Sequence, residues 1–202
     1  LKKIDACVRP GTPITDAGST KQSIVDRWEQ HRSSRTGRFV GSHPLAGSHE
    51  RGPQAADPTL FEGKLTALTP VESTPKADTE AISAFWQQIG AEACLLSPSE
   101  HDQLLASASH APHIVAAALA TATPREAHRF TAGGWRDTTR IAAGDPDLWA
   151  DILLDNAKAV TAQIEKFTEV SDQLRHAIEE GDRSTLIKLL TLAKESRDAL
   201  GS

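Results

Sequence analysis

Apolar positions alternate with polar ones in short runs over the first hundred residues, then recur at helical spacing to the end. Ile14-Thr15-Asp16 is a brief β-branched run stopped by Ala17-Gly18, the pattern of a strand. Ser19 or Thr20 then offers an N-cap for a helix over residues 21–30. Arg38-Phe39-Val40 reads as a second strand, closed by Gly41 and Pro44. Residues 47–58 are polar and rich in Gly and Pro, a long loop of the kind that carries function. A third strand over 64–69 ends at Pro70. Asp78 opens an amphipathic helix with Ala81, Ile82, Phe85, Trp86 and Ile89 on one face, and Gly90 ends it. Residues 92–96 form a fourth strand. Strand–helix alternation of this kind predicts a parallel α/β sheet.

After Pro98 the strand signal disappears. The spacing predicts helices over 99–122, 125–130, 134–143, 146–179 with one break, and 182–199 between Gly181 and Gly201. Two domains are expected: residues 1–97 as part of an α/β domain, and residues 98–202 as an all-α domain.

Composition narrows the chemistry. The 202 residues suffice for a core, and a net charge of −5 lacks the basic face of a nucleic-acid binder. The longest run without a formal charge, 103–124, holds His110, Pro112 and His113, which makes a poor membrane span. Cys7 and Cys94 stand far apart and in no metal-like spacing, as suits a reducing cytoplasm without structural disulfides. No apolar core follows Leu1-Lys2-Lys3, so no signal peptide is read. There is no Met, even at the start, and the expectation is that the beginning of the chain is missing. The G-x-G-x-x-G of a dinucleotide-binding domain is also absent: the glycines of 41–52 and Gly133-Gly134 have the wrong spacing.

Three clusters could carry chemistry. Ser19 follows the first strand and His43 the second; in a parallel sheet both reach the carboxyl edge, where ligands bind. An imidazole and a hydroxyl there are suited to handling a substrate proton, or equally are a helix cap and a loop histidine. His101, Ser109, His110 and His113 form the second cluster. His110 and His113 share a helical face, whereas His101 falls half a turn away, so a polar pocket wall is preferred over zinc. Asp137 and Arg140 form the third, one turn apart just after Gly133-Gly134, where an Arg braced by an Asp suits a carboxylate or is an ordinary helical ion pair. Trp149, alone in the next helix, reads as core or interface.

Taken in order, these segments resemble the prephenate/arogenate dehydrogenase family of tyrosine biosynthesis. The matching pieces are Thr15-Asp16-Ala17-Gly18-Ser19-Thr20-Lys21, Gly41-Ser42-His43-Pro44-Leu45-Ala46-Gly47-Ser48, Leu60-Phe61-Glu62-Gly63 and His101-Asp102. Ser109-His110-Ala111-Pro112-His113 and Gly134-Trp135-Arg136-Asp137-Thr138-Thr139-Arg140-Ile141-Ala142 follow, then Asp145-Pro146, Trp149 and Asn156. The resemblance implies the C-terminal half of a Rossmann-like parallel-sheet domain followed by a helical dimerisation domain. It implies an NAD(P)-dependent prephenate dehydrogenase that makes 4-hydroxyphenylpyruvate by oxidative decarboxylation, cytoplasmic and homodimeric through its helices. Neither nucleic acid, membrane nor metal enters, and the region that distinguishes NAD from NADP would precede Leu1.

By the same resemblance His43 takes the substrate hydroxyl proton and Ser19 orients that hydroxyl. Arg140 grips a substrate carboxylate with Asp137 holding it, and His101, Ser109, His110 and His113 line the pocket. Trp149 approaches from the partner subunit, and Ser48 contacts the cofactor. Many members carry an acid six residues after the catalytic histidine, which suits the ammonium of arogenate; His49 stands there instead and favours prephenate. The competing expectations are an arogenate dehydrogenase, a non-catalytic dimerisation fragment, and a His-cluster metalloprotein.

Overall fold

The computed structural model describes residues 2–31, 38–47, 54 and 56–201. The chain falls into two compact units, Leu1–Val160 and Thr161–Ser202. The first holds a short helix α1 (Lys2–Cys7), then β1 (Pro13–Thr15), α2 (Gln22–His31), β2 (Arg38–Pro44), β3 (Leu65–Thr69), α3 (Lys76–Gln88) and β4 (Glu92–Leu95). α4 (Pro98–Leu105) follows, running through a π-helical turn, Ala106–His110, into α5 (Ala111–Ala122).

The four strands form one sheet in chain order. β1 and β2 are parallel, as are β3 and β4, but β2 and β3 are antiparallel with Gly41 opposite Thr69 and Pro44 opposite Thr66. The expected all-parallel sheet is corrected at that pair. A parallel neighbour needs a crossover, commonly helical, whereas among the described residues no α-helix separates β2 from β3 and the chain returns alongside itself. β2 also runs past Gly41 instead of stopping there. A Cβ at Gly41 would lie 2.5 Å from Thr69 Oγ1 and 3.2 Å from Val25 Cγ2, so the glycine permits close packing within a strand.

Alternation along β2 divides the core. Phe39 packs with Val25 and Trp28 of α2 on one face, and Val40 packs with Leu68, Ile82 and Trp86 of α3 on the other. His43 is two pleats beyond Phe39 and therefore on the α2 side of the sheet. Of the apolar face expected in α3, Ile82 and Trp86 are buried, while Phe85 is half-exposed and touches Trp86 edge-on.

The helical segments follow the expected order: a 3₁₀ turn Arg125–Phe130, α6 (Gly133–Thr139), a 3₁₀ turn Arg140–Ala143, α7 (Pro146–Asp155) and α8 (Ala157–Glu179). The break expected within 146–179 falls at Asn156. Asp145 caps α7 by accepting from the backbone N–H groups of Asp147 and Leu148. By composition the α4–α5 run is apolar enough to pass for a membrane span, with a mean hydropathy of 1.2. It buries Asp102, His101, His110 and His113, which a bilayer would penalise and the site described below uses.

The second unit holds most of α8 and then α9 (Arg183–Asp198). Gly181 turns the chain at φ +66°, and the Asp182 carboxylate caps α9, which holds its acid down at about 2 through hydrogen bonds from Thr185 and Ser184. Phe167, Val170, Ile178, Ile187, Leu190 and Leu192 of this unit are exposed apolar side chains.

Candidate active site

The loop after β1 is locked to β2 by a set of hydrogen bonds around Asp16. Its carboxylate accepts from the backbone N–H of Ser42 at 2.9 Å and of Gly18 at 2.9 Å, and pairs with the Lys21 ammonium. Lys21 is fully buried and also donates to the Ser42 carbonyl at 2.9 Å. Burial lowers its pKa, with Asp16 opposing. The Ser42 hydroxyl donates to the Asp16 carbonyl and accepts from the Trp86 indole N–H at 3.0 Å. Ser19 and His43 thus sit on two segments held together by Asp16, at the end where the parallel strands β1 and β2 both finish.

The start of α2 corrects the expected cap. Neither Ser19 nor Thr20 fills that role. The carboxylate of Asp102, far along the chain in α4, accepts from the backbone N–H groups of Lys21 at 2.8 Å and Gln22 at 2.9 Å. Burial alone would raise the Asp102 pKa; hydrogen bonds from His101, Gln22 and Lys21 outweigh it and hold the acid below its ordinary value. α4 is itself well anchored by a Ser97–Glu100 capping box with Pro98 in its first turn.

His101, next to Asp102, has no exposed surface. Its Nδ1 lies 2.8 Å from Asp102 Oδ1, and its Nε2 lies 2.9 Å from Nδ1 of His43. The carboxylate draws the His101 ring inward, behind His43. His43 is itself half-buried, and its pKa falls to about 3, chiefly by burial, with His101, Lys21 and His110 adding to the shift. It is neutral throughout the physiological range.

The π turn answers the objection that nine residues put His101 and His110 on opposite faces. A π turn takes in an extra residue, so His110 is rotated from its α-helical phase. It is buried, and Asn156 bridges to it: the amide Nδ2 donates to the Asp102 carbonyl at 2.7 Å and lies 3.2 Å from His110 Nδ1. Burial lowers the His110 pKa. Ser109, in the same π turn, is half-buried.

His113 stacks on Trp149 with ring centroids 3.6 Å apart and planes 11° from parallel. Burial lowers its pKa, and a backbone hydrogen bond with Ile141 opposes that shift. Within this chain the indole of Trp149 is seated by His113 and Gly144. A Cβ at Gly144 would lie 2.4 Å from Trp149 Nε1. His113 also ties α5 to the turn that begins with Arg140. Arg140 is exposed, and among the described residues it forms no ion pair with exposed Asp137. α6 ends at Thr139 and the backbone tightens into a 3₁₀ turn at Arg140, and the expected one-turn pairing is not made. Ser48 and His49 lie outside the described residues.

The structure therefore gathers His43, His101 and His110 around Asp102, and sets His113 with Trp149. The site also uses Asp16, Lys21, Asp102 and Asn156, which chain position alone did not single out. The signal for them was present: all four stand inside the matched motifs, beside the residues expected to act. Among the described residues no three His, Cys, Asp or Glu side chains are grouped as metal ligands.

Two family models cover nearly the whole chain. Residues 1–95 match the prephenate dehydrogenase nucleotide-binding domain, and residues 97–192 match the prephenate dehydrogenase dimerization domain. The prephenate dehydrogenase of Bacillus subtilis is 40% identical over 193 residues, covering 93% of this chain and 52% of that protein. The chain thus spans about half the length of that relative. Prephenate dehydrogenase from Aquifex aeolicus superposes with a TM-score of 0.85 at 31% identity, over 97% of this chain and 70% of that one. The A. aeolicus enzyme in complex with hydroxyphenyl propionate and NAD+ gives 0.81 and 34%, over 92% and 66%. Arogenate dehydrogenase from Synechocystis gives 0.85 at 29% identity, over 98% and 73%.

Proposed function

The chain belongs to the prephenate dehydrogenase family, and on that premise we propose that it forms the substrate-handling part of an NAD(P)-dependent prephenate dehydrogenase. The observation that carries this reading is the placement of His43, at the end of two parallel strands with its Nδ1 2.9 Å from Nε2 of His101. A neutral imidazole accepts a proton; one already charged would not. His43 takes the proton of the ring hydroxyl while hydride leaves the same carbon. Loss of the ring carboxylate as CO2 then leaves an aromatic ring, which makes the reaction irreversible in practice.

Ser19 orients the hydroxyl from the loop that Asp16 pins to β2. Arg140, exposed and unpaired with Asp137, is available to hold a carboxylate of the dianionic substrate. Ser109 offers a further hydroxyl from the π turn. The nicotinamide dinucleotide, when bound, supplies the hydride acceptor. The residues present fit only part of it: the exposed Ala17 and Gly18 border the edge beside His43, but no G-x-G-x-x-G stands in the 202 residues to cradle a pyrophosphate. Ser48 is the residue proposed to contact the cofactor.

The domain boundary is proposed at residue 97, with homodimerisation through the helices after it. The exposed apolar side chains of Thr161–Ser202 support that role. A cytoplasmic location goes with this reading. His49 in place of an acid favours prephenate, while the similarity to an arogenate dehydrogenase keeps arogenate as the second substrate to assay. The test is kcat/KM for both substrates, each with NAD and NADP, on the full-length protein. Turnover of prephenate above arogenate supports the reading, and turnover of neither overturns it.

A further inference from the structure

Resting on His43 as the base, we propose that Asp102 and His101 are positioning residues that decide which nitrogen of His43 takes the proton and steady the imidazolium it becomes. With a neutral ring at His101, the hydrogen bonds allow one direction only. The Asp102 carboxylate accepts from two backbone N–H groups, at 2.8 and 2.9 Å, and is therefore an ionised acceptor. His101 Nδ1, 2.8 Å from Oδ1, must carry a hydrogen. A neutral imidazole has one N–H, so Nε2 of His101 is an acceptor. It stands 2.9 Å from His43 Nδ1, which must then donate. That leaves the lone pair of His43 on Nε2. The opposite order would set a bare nitrogen of His101 against a carboxylate, two lone pairs facing each other in a buried site.

The consequence is chemical. As the substrate O–H bond breaks, a new N–H forms at His43 Nε2, the oxygen keeps the electron pair to build its carbonyl, and hydride goes to the nicotinamide dinucleotide. His43 gains a positive charge in surroundings that otherwise disfavour one. Its Nδ1–H points at His101, whose Nδ1–H points at the Asp102 carboxylate, so the charge develops along a prepared line of dipoles ending in an anion. No proton needs to move along that line.

The line is also rigid. Asp102 is held at its carboxylate by the start of α2 and at its carbonyl by Asn156, 2.7 Å away. One carboxylate thereby serves as helix cap and as the brace of His101. Ring orientation set by a second residue is the general device by which buried histidines are kept in one tautomer.

Two measurements on the full-length protein decide it. Long-range ¹⁵N–¹H spectra of the histidine-labelled wild type should show His43 with hydrogen on Nδ1 and none on Nε2; the reverse tautomer overturns the proposal. In kinetics, His101→Leu should lower kcat about 10- to 100-fold with KM for prephenate within about twofold. His101→Gln, which retains an acceptor oxygen, should recover most of that loss and decides the matter if the leucine variant does not fold. His43→Asn combined with His101→Leu should be no slower than His43→Asn alone. Near-normal turnover of His101→Leu beside an inactive His43→Asn would overturn the positioning role and leave the base in place. An active His43→Asn would overturn the base itself, and this proposal with it.

Discussion

The ring nitrogens of His43 and His101 meet at 2.9 Å although 58 residues separate them in the chain, and Asp102 closes on the far side of His101 at 2.8 Å. The contact joins the sheet to the first helix after it. Because the same Asp102 caps α2, the helix beside the sheet and the histidine on the sheet are placed by one side chain.

That double use predicts a stability effect. Asp102→Ala leaves two backbone N–H groups of α2 and one nitrogen of His101 without an acceptor. Charged-group hydrogen bonds are worth about 1.5–3 kcal/mol each, and three that share one carboxylate are not additive, so a loss of at least roughly 3 kcal/mol is expected in urea denaturation. A change below about 1 kcal/mol would mean that water or another group takes over the cap.

Arg140→Gln should raise KM for prephenate about 10- to 100-fold with little change in kcat, as for a residue that grips the substrate equally in ground and transition states. Steady-state kinetics reads this directly. A fall in kcat at unchanged KM would assign Arg140 a different role.

Acid should weaken the fold through its histidines. The pKa of His43 is about 3 in the folded protein, against an ordinary histidine value near 6.5 when unfolded. Between those values the unfolded chain binds a proton that the folded one excludes. His43 therefore adds nothing against stability above about pH 6.5, and costs up to roughly 1.4 kcal/mol per pH unit as pH falls below it. His110 and His113, lowered by burial, act with the same sign. Urea midpoints measured near pH 7.5 and near pH 5 should fall with acid, and constant or rising stability would contradict this.

Gly144→Ala should displace the Trp149 ring from His113, since the added carbon meets Nε1 at 2.4 Å. Overpacking of this kind costs about 1–3 kcal/mol. The same substitution in a Trp149→Ala background should cost much less, a coupling that a double-mutant cycle measures. Equal costs in both backgrounds would show that the indole is not what excludes a side chain at residue 144.

Most elements could be read from the chain because their signals are local. Ala17-Gly18 ends β1, Pro98 starts α4, and Gly181 ends α8 within a residue or two of where the spacing places them. What local pattern could not show is what depends on distant neighbours. Gly41 looked like a stop and is a strand residue, because Thr69 and Val25 crowd it from elsewhere. The α2 cap looked like Ser19 or Thr20, because nothing nearby reveals a carboxylate arriving from α4. His101 and His110 looked divergent until the π turn changed the phase between them. His43 itself stood out, whereas the roles of Asp102 and Asn156 emerge only from contacts made across the fold.

The central claim is that His43 is the base, and His43→Asn tests it most directly. With prephenate and the preferred dinucleotide, kcat of the full-length variant should fall about 10²- to 10⁴-fold while KM stays within a few-fold of wild type. Turnover near the wild-type value would contradict the account.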